Sequence, residues 1–440
     1  MLRQYLNLPR SIHVLCLGSF INRAGTFVII FLTLYLQDEL DLGVRFATRA
    51  MGVFGLGAIL GALGGGYLAD QIGRRIVMLA ALFGGAVLLV VFSFITTPWA
   101  IMLTVLIFAI VAEMYRPAAS AMIADLTKPS QRSHAFGLMY VSINLGFAVG
   151  AFVGGLIANY DFQWLFWGDA LTTAIYGIII FAAIRETLPV RASGVHGLGT
   201  MASHDEAAGS HVDDADAKNA GARIPSRTSS PQESPPAEAP AIPLRAAARH
   251  IMTDTPFIIF CLGTFLAALV FMQAMSTFPL YMKWFGFSPG EYGMVIALNG
   301  ILIVCLQLPL TTLFNRYNRA FVVVVGAILQ ATGFGLICWA VSLWHFALTV
   351  VLSTVGEMMM APYSPAIVSD LAPTRLRARY MGVFTMSFSS SMMFSAPIGG
   401  EILNHPGLGG QWLWRGSFVV GIVAAGLYFS VRRHIVQKRD

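Results

Sequence analysis

PAASAMIADLTKPSQRSHAFGLMYVSINLGFAVGAFVGG, Pro117 to Gly155, returns 245 residues later as PYSPAIVSDLAPTRLRARYMGVFTMSFSSSMMFSAPIGG, Pro362 to Gly400. Pro117, Asp125, Leu126, Arg132, Gly137, Ser142, Gly154 and Gly155 recur as Pro362, Asp370, Leu371, Arg377, Gly382, Ser387, Gly399 and Gly400. The same shift carries Asp70 onto Asn315 and Arg74 onto Arg319. Both copies lie in apolar sequence. A membrane chain made of two related halves is the pattern of secondary transporters, whose substrate site lies between the halves.

Working outward, hydrophobic residues make up 56% of the chain and charged residues 11%, against roughly 25% charge in soluble domains. Such a chain cannot cover a water-facing surface. Twelve apolar stretches recur, at about 11–36, 46–69, 76–96, 100–124, 134–158, 164–184, 256–282, 291–314, 320–341, 344–368, 378–402 and 412–434. Each is long enough to cross about 30 Å of hydrocarbon as a helix. The first reads as a retained span, because no small-residue cleavage site follows it. The fold expected is an all-α membrane protein of 12 transmembrane helices in two pseudo-symmetric six-helix bundles, 1–186 and 251–440. Residues 187–250 join them as a disordered cytoplasmic linker, rich in Ala, Ser, Pro, Gly and Asp and too poor in large apolar residues to form a core. A short helix is expected around Leu244–His250.

The net charge of +6 is a topology signal rather than a nucleic-acid one. Of the 28 Lys and Arg, 15 fall on the short segments of one side and four (Arg45, Arg49, Lys283 and Arg415) on the other. By the positive-inside rule both termini are cytoplasmic, and the chain is expected in a plasma membrane, the inner membrane of a bacterium. Trp99, Trp164, Trp167, Trp284, Trp344, Trp412 and Trp414 fall near the opposite interface, where Trp is enriched. Cys16, Cys261, Cys305 and Cys338 lack metal-ligand spacing and read as packing residues.

Between the second and third stretches stands GYLADQIGRR, Gly66 to Arg75. Glycine suits a tight turn, an Asp suits a helix end, and an Arg pair suits the cytoplasmic face. This loop resembles the G-x-x-x-D-(R/K)-x-G-(R/K)-(R/K) signature of the major facilitator superfamily, with a degenerate copy at Thr311–Arg319. Gln71 stands where a basic residue is usual, and Asn315 and Asn318 replace the Asp and Gly of the second copy. The resemblance implies a gating loop of Gly66, Asp70, Gly73, Arg74 and Arg75, with Asp70 meeting the start of span 11. It also implies a charge cluster of Asp70, Arg74 and Asp125 that holds an outward-open state. The first loop is expected to keep this role and the second to have lost it. Gly146, Gly150, Gly154 and Gly155 on span 5 resemble the motif of drug/proton antiporters, with Ala151 in place of the usual proline. A plain packing ridge explains the same glycines, as it does Gly57, Gly61 and Gly65 on span 2.

Charges inside spans are costly and usually face a polar pathway. Arg23 lies in span 1, Glu113 and Arg116 in span 4, and Glu357 in span 10, and their charges sum to zero. Spans 1, 4, 7 and 10 line the central cavity in the resembling family. The functional reading gives the proton to Glu113 or Glu357 and gives Arg23 and Arg116 the tuning of that site or the holding of an anion. A structural set of ion pairs between the halves is the other reading. Asn22, Gln273, Asn299 and Gln307 are polar candidates for the cavity, and Tyr35, Tyr140, Tyr281 and Phe271 could wall it. Asp169 reads as a capping or topological residue.

No G-x-x-x-x-G-K-(S/T) loop, mid-span His or recognisable catalytic triad occurs, which argues against an ATPase, a metal centre or an enzyme. No cofactor is expected, and the chain is expected to work as a monomer. The E-x-x-E-R-like signature of peptide transporters is missing at Ser19–Arg23. The expected activity is proton-coupled export of small amphipathic compounds by alternating access. The alternatives are an uptake symporter for an organic anion or nutrient, and a non-transporting membrane sensor or lipid-handling protein.

Overall fold

The computed structural model describes residues 7–128, 131–187, 244–373, 376–407 and 409–437, and every regular element among them is a helix. Eleven helices are long and apolar enough to cross a membrane: Arg10–Glu39, Gly43–Ile72, Arg74–Phe92, Pro98–Leu126, His134–Ala158, Gln163–Ala183, Thr255–Ser276, Pro289–Phe314, Arg319–Trp339, Leu343–Leu371 and Gly409–Arg432. They stand at the expected spans 1 to 10 and 12. Span 11 is the helix Arg377–Leu403, of 27 residues. It is less apolar because it begins with Arg377 and Arg379 and carries Ser387, Ser389, Ser390 and Ser391. Three of those serines return their hydroxyls to their own helix, Ser387 to Val383 O, Ser390 to Met386 O and Ser391 to Phe388 O. Such back-bonding lets a polar run sit among apolar neighbours.

The compact unit comprises residues 1–188 and 247–440. The second unit is 189–246, of which only the first turn of the helix Leu244–Thr253 is described. That helix stands where a short one was expected, and the rest of the expected linker lies outside the described residues. Helix starts follow local chemistry. Ser288 and Glu291 form a capping box ahead of span 8 with Pro289 in its first turn. Asp254 caps span 7, Asn318 span 9 and Ser342 span 10. Each side chain accepts a bond from one of the amide groups left free at a helix start.

Four spans change helix partway, and they are spans 1, 4, 7 and 10. Span 1 breaks between Ala24 and Val28, span 4 at Met114, span 7 at Met272 and again at Thr277, and span 10 between Met360 and Tyr363. A break inside a membrane frees backbone groups that must be bonded by neighbours. In span 1 the neighbour is Asp169 of span 6, only 4% exposed. Its Oδ2 accepts from Val28 N at 3.2 Å, and its Oδ1 accepts from Thr173 Oγ1 at 3.4 Å. Asp169 therefore caps the second helix of span 1 at the break, in keeping with a capping role. Trp414 differs from the other named tryptophans. It is fully buried against Phe278, Tyr281 and Phe334, while the other six named tryptophans are exposed or partly exposed.

Candidate functional site

The first six spans meet the last six along two seams, span 2 against span 11 and span 5 against span 8. The end of the molecule holding Arg74 and Arg319 is its basic end. At the far end both seams are closed. A Cβ added to Gly293 of span 8 would stand 3.0 Å from Gly155 Cα of span 5, and one on Gly55 of span 2 would stand 2.8 Å from Met393 Cα. Only glycine permits such approach of two backbones. Gly290 N donates to Asn159 Oδ1 at 3.0 Å across the same seam. Arg45 and Arg49 both pair with Glu401, at 2.9 and 2.8 Å, and Lys283 pairs with Asp38. Among the described residues, every ion pair that joins the two halves lies at this far end.

Toward the basic end the same helices part. Spans 5 and 8 are in contact at Gly300, where a Cβ would stand 2.8 Å from Ala148 Cβ. Beyond it a cavity of about 660 Å³ opens between Gly137, Tyr140 and Val141 of span 5 and Ile303, Gln307 and Thr311 of span 8, bordered by Ala361 and Pro362 of span 10. Gly64 of span 2 and Gly382 of span 11 face open space. The structure is closed at the far end and open at the basic end. Reversing the charge of Glu401 turns two attractions into repulsions. Exposed pairs contribute about 0.2–1 kcal/mol each, so Glu401→Lys is expected to speed labelling of a Thr48→Cys reporter by an impermeant maleimide about three- to tenfold. Thr48 is 1% exposed beside Gly400. Unchanged labelling would mean that the pairs do nothing for closure.

The charge cluster at the basic end is assembled. Arg74 Nη2 lies 3.5 Å from Asp70 and Arg74 Nε 3.1 Å from Asp125. Asp125 also accepts from Thr187 Oγ1 at 2.9 Å. Gly73 supplies the turn with φ of 111°, a region that side chains disfavour. The amides of Arg74 and Arg75 that follow it both donate to Glu186, at 3.0 Å each. Arg75 reaches Phe181 O at 2.7 Å and lies 5.2 Å over its ring. Gly66 is in ordinary contact with Pro117. The contact expected between Asp70 and the start of span 11 falls where Thr374 and Arg375 lie outside the described residues. The cluster stands complete while the far end is closed, so its ion pairs within the first half do not require an outward-open state. The second copy also keeps the pair, Arg319 to Asp370 at 2.9 Å, with Asn315 accepting from Tyr363 Oη at 3.0 Å.

The four mid-membrane charges do not pair with one another across the halves. Glu113 and Arg116 stand on either side of the break in span 4 and pair at 3.4 Å, Arg116 being 66% exposed. Arg23 makes no ion pair among the described residues. Its backbone and Cβ underlie Gly146 and Gly150. Glu357 stands apart. Its Oε2 accepts from Asn299 Nδ2 of span 8 at 2.7 Å, the same amide lies 3.1 Å from Thr354 Oγ1, and no cation among the described residues pairs with it.

The other candidates divide by role. Asn22 donates to Thr173 at 2.8 Å in the network that caps the break of span 1. Gln273 is 5% exposed and ties span 7 to Ser395 O of span 11 at 2.8 Å. Neither faces the seam cavity. Tyr35 and Tyr281 are buried in aromatic clusters toward the far end, while Tyr140 lines the cavity. Gly146, Gly150 and Gly154 pack span 5 on span 1, and Gly155 packs it on span 8. Gly57, Gly61 and Gly65 bed span 2 on span 4. The cysteines are free thiols. Sequence reasoning missed Glu186 and the far-end pairs. Their signal was available: an acid two residues after Ile184, the last apolar residue of span 6, and opposite charges near helix ends assigned to one side.

A family model described as Major Facilitator Superfamily matches residues 15–283 and 260–436. A Na(+), Li(+), K(+)/H(+) antiporter of Planococcus maritimus is 23% identical over 98% of this chain and 97% of its own. The multidrug resistance protein MdtH of Aeromonas hydrophila subsp. hydrophila is 22% identical over 93% and 92%. Among solved structures, a bacterial homolog of the human lysosomal transporter Spinster, in an inward-facing and unoccupied conformation, superposes with a TM-score of 0.72 over 97% of each chain at 15% identity.

Proposed function

The chain belongs to the Major Facilitator Superfamily, and from that membership we propose that this membrane-spanning small-molecule transporter exports amphipathic compounds in exchange for protons. The observation that carries the proposal is Glu357. It is an acid within the membrane beside the seam, held by Asn299 and lacking a cation partner among the described residues. A proton on it removes an uncompensated charge from a place where charge is costly. A bound substrate can do the same, so the two compete for one carboxylate. The basic end faces the cytoplasm by the positive-inside rule, which makes the present state the one that exchanges proton for cytoplasmic substrate.

Coupling then follows from alternating access. The far-end seam closes on glycines and ion pairs, and it opens only as the basic end closes. Movement between the two states is permitted with Glu357 occupied by a proton or by substrate, and is hindered with the carboxylate bare. Two relatives are named for antiport and for multidrug resistance, which supports the reading. Uptake of an organic anion would need Arg23 and Arg116 to converge. Arg23 instead follows Asn22, which bonds Thr173 of the first half, and Arg116 pairs with Glu113.

Inverted membrane vesicles test this. With an acid lumen, amphipathic dyes should accumulate inside and leave when nigericin dissipates the pH difference. Accumulation driven by an alkaline lumen instead would mean co-directional movement and would overturn antiport.

A further inference from the structure

A second cavity lies away from the seam, within the first half. It is a groove of about 1010 Å³ between spans 3 and 6, bordered by Ile157 and Tyr160 at the end of span 5. Small residues make room for it: Ala86 of span 3 and Gly168, Ala170 and Ala174 of span 6 line it. Val87 and Leu171 on its open side are 63% and 62% exposed. Along span 3 it runs from Phe83 to Phe94, about 16 Å at helical rise. That is about half of the 30 Å hydrocarbon thickness, the depth of one leaflet.

The far-end mouth of the groove is aromatic. The Trp164 and Trp167 rings stand 6.1 Å apart at 60°, and Trp167 Nε1 donates to Ser93 Oγ at 3.3 Å, which fixes its ring against span 3. Trp164 and Tyr160 are 62% and 91% exposed, and neither the Trp164 indole N–H nor the Tyr160 hydroxyl bonds any described residue. Asp161 beside them is exposed. Its Oδ1 accepts from Gln163 N at 2.7 Å, and it pairs with no cation among the described residues. The basic side chains of this end are engaged elsewhere, Arg45 and Arg49 with Glu401, Lys283 with Asp38 and Arg415 with Gln411.

We infer that this groove is a binding site for one phospholipid of the leaflet away from the cytoplasm, and that it prefers an ammonium-bearing headgroup, as in phosphatidylethanolamine, to an anionic one. The bilayer is what meets a groove on the outer side of membrane-spanning helices, so an acyl chain is the apolar body at hand. A chain seated between Phe94 and Phe83 reaches from the interface toward the midplane. Its headgroup then stands at the aromatic mouth, the depth at which Trp and Tyr are enriched. The Trp164 N–H and the Tyr160 O–H donate to phosphate or ester oxygens, and the ammonium meets Asp161 and the ring faces. An anionic headgroup would bring a second negative charge beside Asp161, with no Lys, Arg or His among the lining residues to offset it. The site uses neither the seam nor Glu357, so it holds whether or not export is coupled to protons.

Native mass spectrometry of the purified full chain in detergent tests it, with phosphatidylethanolamine and phosphatidylglycerol of identical chains as probes. The parent should bind one copy of phosphatidylethanolamine about three- to tenfold more tightly than phosphatidylglycerol, the scale of one partly exposed charged contact. Asp161→Asn, a change at an exposed position, should bring the two lipids within about twofold of each other, and Asp161→Glu should keep the preference. Val87→Trp fills the groove from its open side and should remove the tight copy. Leu348→Trp, at a position of span 10 that is 62% exposed, should leave it. Equal binding of the two lipids by the parent would overturn the assignment. So would a preference that survives Asp161→Asn, or a tight copy that survives Val87→Trp.

Discussion

Glu357→Gln is expected to lower pH-driven transport about a hundredfold, and whatever exchange of labelled for unlabelled substrate remains is expected to stop changing with pH. The glutamine has nearly the same shape, and its carbonyl oxygen can still accept from Asn299, which now bonds the carboxylate at 2.7 Å. Packing is preserved and only the titratable proton is lost. A neutral side chain mimics the protonated state, so the two ends still alternate but no proton is carried. In coupled transport every productive cycle needs that proton, so the driven rate falls however much binding the variant keeps. The paired measurement is accumulation under an imposed pH difference and exchange at equal pH, both in reconstituted vesicles. A variant that keeps a tenth or more of driven transport would assign the proton elsewhere. Glu113 is the next candidate, and its partner Arg116 already compensates its charge.

Gly293→Leu is expected to open the far end and halt transport. The position lies where spans 5 and 8 pack backbone to backbone, and even a Cβ there meets the Gly155 Cα at 3.0 Å. Neither helix can yield by turning a side chain, so the added group must part the seam. Overpacking of this kind costs about 1–3 kcal/mol, which multiplies the far-end-open population about five- to a hundred-and-fifty-fold. A cysteine at Ala158, now 5% exposed at the end of span 5, should label at least tenfold faster with an impermeant maleimide. Gly382→Leu is the control. It faces open space at the basic end and should leave that labelling unchanged. A folded Gly293→Leu chain with parental labelling would show that the seam does not set access.

The span pattern was legible because the bilayer makes length and apolarity nearly sufficient to define a helix. The duplication around Pro117 and Pro362 gave the halves, and GYLADQIGRR marked the loop that turns at Gly73. Span 11 was read correctly in place from the repeat, although its serines weaken its apolar signal. The candidate site was legible only in outline. Residue type singled out Arg23, Glu113, Arg116 and Glu357 as unusual, and their zero net charge suggested pairing. The structure pairs Glu113 with Arg116 and leaves Arg23 and Glu357 outside that pair. Asn22 and Gln273, equally polar in sequence, turn out to bond the protein to itself.

The sequence by itself determined which segments cross the membrane, which end is basic, and that two related halves face each other, because hydropathy, charge asymmetry and repeats are properties of the chain taken in order. Tertiary structure alone decided that the far end is closed, that spans 1, 4, 7 and 10 are broken, and that among the described residues Glu357 has no cation partner and Gln307 Oε1 no donor. Each of those depends on distances between residues far apart in the chain, such as Asn299 and Glu357 or Glu401 and Arg45. No local pattern encodes such a distance, because it is set by how two helices approach.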